Sequence, residues 1–297
     1  MVSCQPGILA EVPPLARYLT FVIKSNKLAK SAVPALFDLV DGVNTVCGIG
    51  LSLVMALAKE IPGLGTFPAS AGAGFAIPST PAALWFWLKG TDRGELILRS
   101  RSIEQQLTPA FQLSNVVDAF KYKTGFDLTG YEDGTENPQA QAAVDAAIVQ
   151  DQGAGLDGSS FVAVQLWVHD LGLFEKLPET EQDNTIGRRK FDNQEIKDAP
   201  KSAHVKRTAQ ESFQPEAFIL RRSMPWNAEQ RTGLVFVAFG KSFAAFEAIL
   251  TRMTGSEDGI ADALFNFTQP AAGAYFWCPP LQNGRLNLAK LGFNFLC

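Results

Sequence analysis

Hydrophobic and polar positions along this chain switch repeatedly between a period of two and a period near 3.6. Residues 15–23 (LARYLTFVI) are rich in β-formers and read as a strand. A helical pattern follows over 27–41, and the apolar stretch 48–58 leaves helix and strand open. The segment 62–81, rich in Gly, Pro and Ser, predicts loop. ALWFWL at 83–88 predicts a buried strand, and 94–107 has helical spacing with Leu96, Leu98, Ile103 and Leu107 on its apolar side. Residues 116–122 read as a further strand. In the second half, 160–169, 218–223 and 234–239 read as strands, and 243–253 reads as a helix with apolar residues at 243, 246, 249, 250 and 253.

Two of these segments share one grammar. ALWFWLKGTDRGELILRSR and GLVFVAFGKSFAAFEAILTR both run buried strand, glycine, polar turn, amphipathic helix. That repetition predicts two similar α+β halves, read as two ferredoxin-like domains with antiparallel sheets. The natural boundary is the Ala-, Gln-, Asp- and Gly-rich region 139–158, dividing the chain into residues 1–145 and 146–297.

Composition narrows the function classes. The 297 residues suit one large domain or two ordinary ones. Hydrophobic residues at 46% and charged residues at 19% are ample for a packed core. A net charge of −4, with Lys and Arg dispersed, gives no general attraction to nucleic acid or to an anionic membrane. The longest apolar runs, 47–57 and 234–240, are too short to span a bilayer. Cys4, Cys47, Cys278 and Cys297 form no CxxC pair, which argues against a zinc knuckle or a thioredoxin-like site. So few cysteines in a chain of this size read as reduced. The first residues lack a basic segment followed by an apolar run, so the expectation is a soluble cytoplasmic protein.

Only two histidines are present, which makes a multi-histidine zinc site a poor fit and leaves a single axial ligand as the histidine-metal option. His169 ends the strand FVAVQLWVHD, where alternation sets it with Gln165 and Trp167 on one face; local hydrogen bonding is the plainer reading. His204 lies in a polar stretch and, read alone, is a loop histidine. The segment 130–138 (GYEDGTENP) holds two strong turn dipeptides and three carboxylates, Glu132, Asp133 and Glu136. It reads as an acidic turn, and a calcium loop is discounted because the DxDxDG spacing is absent. In 218–226 (FILRRSMPW) an apolar strand ends in two arginines, of which alternation points one inward, where it needs an anion or a polar cavity.

Together these stretches resemble the dye-decolourising peroxidase family, in its bacterial cytosolic branch. The GxxDG signature is met by residues 130–134, a downstream haem-binding histidine by His204 in SAHVKRT, and a distal arginine at a strand end by Arg221 in ILRRSMPW. The likeness extends to IGRR at 186–189, to GIADALFNFTQP at 259–270, and into the first half at PSTPAALW (78–85) and DRGEL (92–96). It therefore spans nearly the whole chain.

The resemblance implies two ferredoxin-like domains with haem b in the second. It implies His204 as iron ligand, with Asp262 accepting from its other ring nitrogen and Glu257 and Asp258 as nearby rivals. Arg188, and more weakly Arg207, would pair with the haem carboxylates, and Glu136 and Asn137 join the cofactor-binding set. Asp133 would serve as base and acid toward hydrogen peroxide, with Arg221 stabilising negative charge on the leaving oxygen. Ser223 stands where some members carry Asn. A carboxylate base works in acid where histidine is protonated, so an acidic optimum is expected. The implied partners are hydrogen peroxide and aromatic donors such as dyes and phenols, a homodimer or higher homo-oligomer, and an encapsulin shell that takes the protein as cargo. Trp85, Trp87, Trp167, Trp226, Trp277, Tyr131 and Tyr275 are available to carry electrons to the surface, and the sequence singles out none. Two rivals remain: a haem- or porphyrin-handling protein that removes iron, and a non-enzymatic ferredoxin-like binding module.

Overall fold

The computed structural model describes residues 2–72 and 74–294. Its framework is built from nine strands, here numbered β1–β9. In the first half these are β1 Leu15–Ile23, β2 Thr45–Ile49, β3 Leu84–Gly90 and β4 Phe111–Phe120. They lie in the order β4-β1-β3-β2, each neighbour antiparallel. The second half supplies β5 Ser160–His169, β6 Leu220–Arg221, β7 Met224–Ala228, β8 Arg231–Gly240 and β9 Thr268–Cys278. The short strands β6 and β7 share one edge of β8, so the order is β9-β5-β8-(β6, β7), again antiparallel. With β6 and β7 counted as one interrupted strand, both halves read fourth-first-third-second in chain order. This is the ferredoxin-like pattern expected from the repeated strand–turn–helix grammar.

The sheets meet along both edges. β9 touches β2 through the pair Trp277↔Ile49, and β7 touches β4 through Trp226↔Ala119. The eight long strands therefore close into a barrel, which leaves few free edges. In the central strand β3 alternation gives two buried faces. Tyr18, Trp85, Trp87, Phe239 and Phe276 point inward and stack across the halves, with Trp85 6.4 Å from Phe239 and 6.0 Å from Phe276. Leu84, Phe86 and Leu88 point outward, fully buried, in the layer shared with the helix Arg93–Leu107. The run ALWFWL is apolar throughout because both of its faces are covered.

Several local expectations are corrected. The helix read over 27–41 is broken into Asn26–Ala32, a 3-10 turn Val33–Ala35 and Leu36–Leu39; Pro34, in the middle, has no N–H to donate. The ambiguous stretch 48–58 divides into the end of β2 and a helix Leu51–Ala56, hinged at Gly50. The loop 62–81 contains a hairpin, Ser70–Gly72 with Phe75–Ile77. Leu98 is 69% exposed, outside the buried stripe of its helix. The strand read over 218–223 survives only as Leu220–Arg221 before a kink into β7. The strand read over 116–122 begins earlier, at Phe111, and the boundary region 139–158 carries a helix, Ala140–Ala147. No helix is long and apolar enough to cross a membrane among the described residues. Cys297 and the last residues of the tail, 295–297, lie outside the described residues.

Candidate functional site

A cavity with largely apolar walls lies against the outward face of the second half. Gln165, Trp167 and His169 of β5 and Leu234 and Phe236 of β8 line one side, and Phe246, Ile249, Leu250 and Met253 of the helix Ala244–Met253 line another. His204, Asp133 and Arg221 reach the same space.

His204 opens the short helix His204–Thr208, within the long crossover between β5 and β6. The backbone N–H of Ala263 donates to the Ser202 carbonyl at 2.8 Å, and this bond brings the 262 region beside the histidine. His204 Nδ1 then lies 2.8 Å from Asp262 Oδ2, while Asp262 Oδ1 accepts from the Leu264 N–H at 2.9 Å. Asp262 is only 2% exposed, so its carboxylate is held on both oxygens away from water. The carboxylate fixes the proton on Nδ1 and leaves the Nε2 lone pair free. The rivals are committed elsewhere: Glu257 pairs with Arg252 at 2.7 Å and Asp258 with Arg207 at 2.8 Å. Hydrogen bonds from the Arg207 side chain and the Ile260 N–H hold Asp258 down at about 2.

Asp133 reaches the cavity on the loop 124–138. Gly130 and Gly134 both have positive φ, +88° and +76°, which only glycine adopts without strain; a side chain at 130 would also strike Lys190. The Asp133 N–H donates to the Gly125 carbonyl at 2.9 Å, and Asp133 Oδ1 lies 3.4 Å from Arg221 Nη1. Asn137 holds the other half of this pair. Its Oδ1 accepts from the Arg221 N–H at 2.8 Å and its Nδ2 donates to the Arg221 carbonyl at 3.0 Å, imitating a neighbouring strand where β6 has run out. Arg221 Nε is buried with no hydrogen-bond partner, and so is the Gln165 side-chain nitrogen. Buried donors left without partners in a cavity wall mark where a ligand supplies acceptors.

The remaining candidates lie off the cavity. Glu136 is an exposed partner of Arg188 at 2.6 Å, and Arg188 also donates to the Asn193 carbonyl. Arg207 is buried on Asp258 and the Arg252 carbonyl. Asn137 and Ser223 line a smaller neighbouring cavity that shares Asp133 and Arg221, and Ser223 Oγ accepts from the Val237 N–H at 3.3 Å. Arg222, the second arginine, turns away and donates to the carbonyls of Ile8 and Leu9.

His169, read as a locally bonded strand end, stands in the same cavity as His204. Its Nδ1 lies 2.6 Å from Thr268 Oγ1 and its Nε2 3.2 Å from Asp127 Oδ2, so both nitrogens are engaged. Burial alone would raise the Asp127 pKa; the hydrogen bond and charge of His169 and two bonds from Thr129 overcome it and hold Asp127 below the usual value. This pair staples the loop that carries Asp133 to β5. Asp127 and Thr268 carried no signal of their own, whereas the shared face of Gln165, Trp167 and His169 did.

With this geometry in view, the likeness to known proteins is specific. The family described as Dyp-type peroxidase, C-terminal, matches residues 124–283. The chain belongs to the Dyp-type peroxidase family. The dye-decolorizing peroxidase of Rhodococcus erythropolis is 33% identical over 208 residues, which is 68% of this chain and 61% of that protein. That of Mycobacterium tuberculosis is 27% identical over 95% of this chain and 89% of its own length. Among solved structures, a putative Dyp-type peroxidase from Shewanella oneidensis matches with TM-score 0.88 and 27% identity, covering 99% of this chain and all of that one. A variant of DypB from Rhodococcus jostii RHA1, in complex with heme, matches with TM-score 0.83 and 26% identity over 92% of this chain and 94% of that one. The members of this family are haem-dependent oxidoreductases, and the two ferredoxin-like halves read from the sequence are their fold.

Proposed function

We propose that this chain is a haem peroxidase that reduces hydrogen peroxide and oxidises dyes, phenols or other aromatic donors. The observation that carries this reading is the convergence in one cavity of a histidine with a committed Nδ1 and a free Nε2, and a carboxylate–arginine pair with an unpartnered Nε. The heme held by the Rhodococcus jostii relative supports the same cofactor here. The donor set fits haem b: one imidazole for the iron and apolar walls for the macrocycle. Arg188 would meet a haem carboxylate by exchanging its exposed partner Glu136.

With haem held by His204, the iron would supply the redox chemistry toward peroxide. The chain's own residues do the rest. Asp262 keeps the Nδ1 proton of His204 in place and makes Nε2 the stronger donor. Asp133 takes a proton from one peroxide oxygen and returns it to the other. Arg221 faces the negative charge that develops as the O–O bond breaks. Asn137 and the Asp127–His169 staple hold these two side chains in register.

The test is the visible spectrum of the haem-loaded protein with and without hydrogen peroxide, beside His204→Ala and Asp133→Asn. The expected result is a Soret band that responds to peroxide, is lost or displaced in His204→Ala, and responds about 10²–10⁴-fold more slowly in Asp133→Asn. Failure of the wild type to bind haem would overturn the assignment. Bound haem that is inert to peroxide would replace the peroxidase reading with porphyrin handling.

A further inference from the structure

The inside of the barrel is packed at one end and open at the other. Inward positions on four strands change in the same direction. On β1, Tyr18 is buried while Thr20 and Val22 are partly buried, and on β5, Val162 is buried while Val164 and Leu166 are partly buried. On β9, Phe276 and Ala274 are buried and Ala272 is partly buried. On β4, Ala119 is buried, Val117 partly buried and Asn115 exposed. A second cavity occupies this open end, with Tyr18, Trp85, Val117 and Phe276 in its walls. It lies on the opposite face of β5 and β8 from the cofactor cavity: Val164, Leu166 and Val235 line it, whereas Trp167, Leu234 and Phe236 line the other.

The floor of this cavity is aromatic. Trp85 stacks against both Tyr18 and Phe276, with centroids 6.0 Å apart in each case. Tyr18 is 3% exposed and Trp85 1%, yet neither the Tyr18 hydroxyl nor Trp85 Nε1 has a hydrogen-bond partner among the described residues. Burial pushes the Tyr18 hydroxyl above its ordinary pKa, so it stays a protonated donor. Two buried donors on one floor call for an acceptor. No Lys, Arg, His, Asp or Glu lines the cavity among the described residues, so an anionic acceptor would enter without a countercharge. The mouth is braced by its own hydrogen bonds. Ser114 Oγ donates to the Thr20 carbonyl at 2.9 Å, the Thr80 N–H donates to the Gly273 carbonyl at 2.7 Å, and the Gly273 N–H donates to Thr80 Oγ1 at 3.0 Å.

We infer that the open end of the barrel is a binding site for an uncharged, planar aromatic carbonyl compound, whose oxygen accepts from Tyr18 and Trp85. A carbonyl oxygen has two lone pairs and can serve both donors at once. A phenol or an amine brings donors of its own to a floor of donors. A carboxylate finds no cation, and a hydrocarbon leaves both donors unpaired. The apolar walls and the ring stack favour a flat aromatic body over a polar one. The inference is independent of the peroxidase reading, because a layer of strand separates the two cavities.

The test is equilibrium dialysis of the haem-loaded protein against acetonaphthone, ethylnaphthalene and naphthoate, which share a ring system and differ in the polar group. Acetonaphthone should bind at one site per chain, ethylnaphthalene about ten-fold more weakly, and naphthoate not detectably. Tyr18→Phe keeps the ring and removes the hydroxyl. It should weaken acetonaphthone about 5–10-fold and leave the affinity for ethylnaphthalene unchanged. Val117→Trp plugs the mouth from β4, which does not line the cofactor cavity, and should abolish ketone binding; Val117→Phe is the smaller plug where tryptophan does not fold. Both variants should retain the wild-type Soret band, and acetonaphthone should leave that band unmoved. Haem-free protein should bind the ketone with the same affinity, so a failure of the haem assignment leaves this measurement intact. Ketone binding that survives the plug, or no binding of either neutral compound, overturns the site. Equal affinities for ketone and hydrocarbon, or an unchanged affinity in Tyr18→Phe, overturn the carbonyl assignment.

Discussion

The two halves of the barrel share a strand order and differ in what covers them. In the first half, β3 sends Leu84, Phe86 and Leu88 outward, all fully buried in a layer closed by the helix Arg93–Leu107. In the second half, β8 occupies the equivalent place and sends out Leu234 and Phe236, which are only partly buried because they face the cavity. The neighbouring strand β5 adds Gln165 and His169 to that face, where β1 carries Leu19 and Phe21. The connection after the first strand differs as well. Residues 24–44 are a short helical crossover, whereas 170–219 is a long segment that delivers His204. One topology therefore gives a sealed layer in one copy and a binding chamber in the other. The second half differs in the polar residues Gln165, His169, Arg221 and Thr268 that line the chamber, and in a long crossover that does not close it.

Substitution can break that contrast. Phe86→Ala should cost about 3–5 kcal/mol in urea unfolding, because it opens a void in a filled layer. Phe236→Ala should cost about 1–2 kcal/mol, because one side of that ring already faces the cavity. Equal costs would mean that the second half is as tightly packed as the first. Asp262→Asn leaves the packing intact but frees the Nδ1 tautomer of His204. Haem retention against a competing acceptor, or the rate with peroxide, should fall about 10–100-fold, and an unchanged value would detach Asp262 from the ligand.

Gln165→Leu makes β5 more like its counterpart by removing an unpartnered buried amide. The haem-free protein should gain about 1 kcal/mol, read as a higher Tm, while taking up haem less well. A loss of stability would show that the amide has a partner in solution. The smallest effect is expected at Asp127. Its folded pKa lies below the unfolded value, so its contribution is present above the unfolded pKa and lost as pH falls through the folded one. The urea midpoint of the wild type should drop in acid more steeply than that of Asp127→Asn, and parallel curves would remove the His169 staple from the account.

The fold was largely legible. Nearly continuous apolar runs such as ALWFWL and FVAVQLWV located the central strands, because burial on two faces demands apolar residues at almost every position. Where expectation and structure part, the cause is local. Pro34 divides a helix that periodicity alone would continue, and Leu98 shows that an apolar residue in a helical window need not face the core. The site was legible in pieces. GYEDGTENP, SAHVKRT and ILRRSMPW each read as an ordinary turn, loop or edge when taken singly, and only their family resemblance joined them. The cavity itself has no signature in sequence, since it is a space left between elements.

By itself the sequence determined two α+β halves, because periodicity, turn glycines and charged residues at strand ends are local properties. Only the tertiary structure decided which carboxylate serves His204, since Glu257, Asp258 and Asp262 differ in sequence position by at most five residues and are distinguished by Arg252, Arg207 and the Ser202–Ala263 backbone bond. It also decided that Asn137 grips the Arg221 backbone rather than the cavity, and that His169 faces the same chamber as His204. Each of these depends on partners far apart in the chain, and such pairings are set by packing and not by any local pattern.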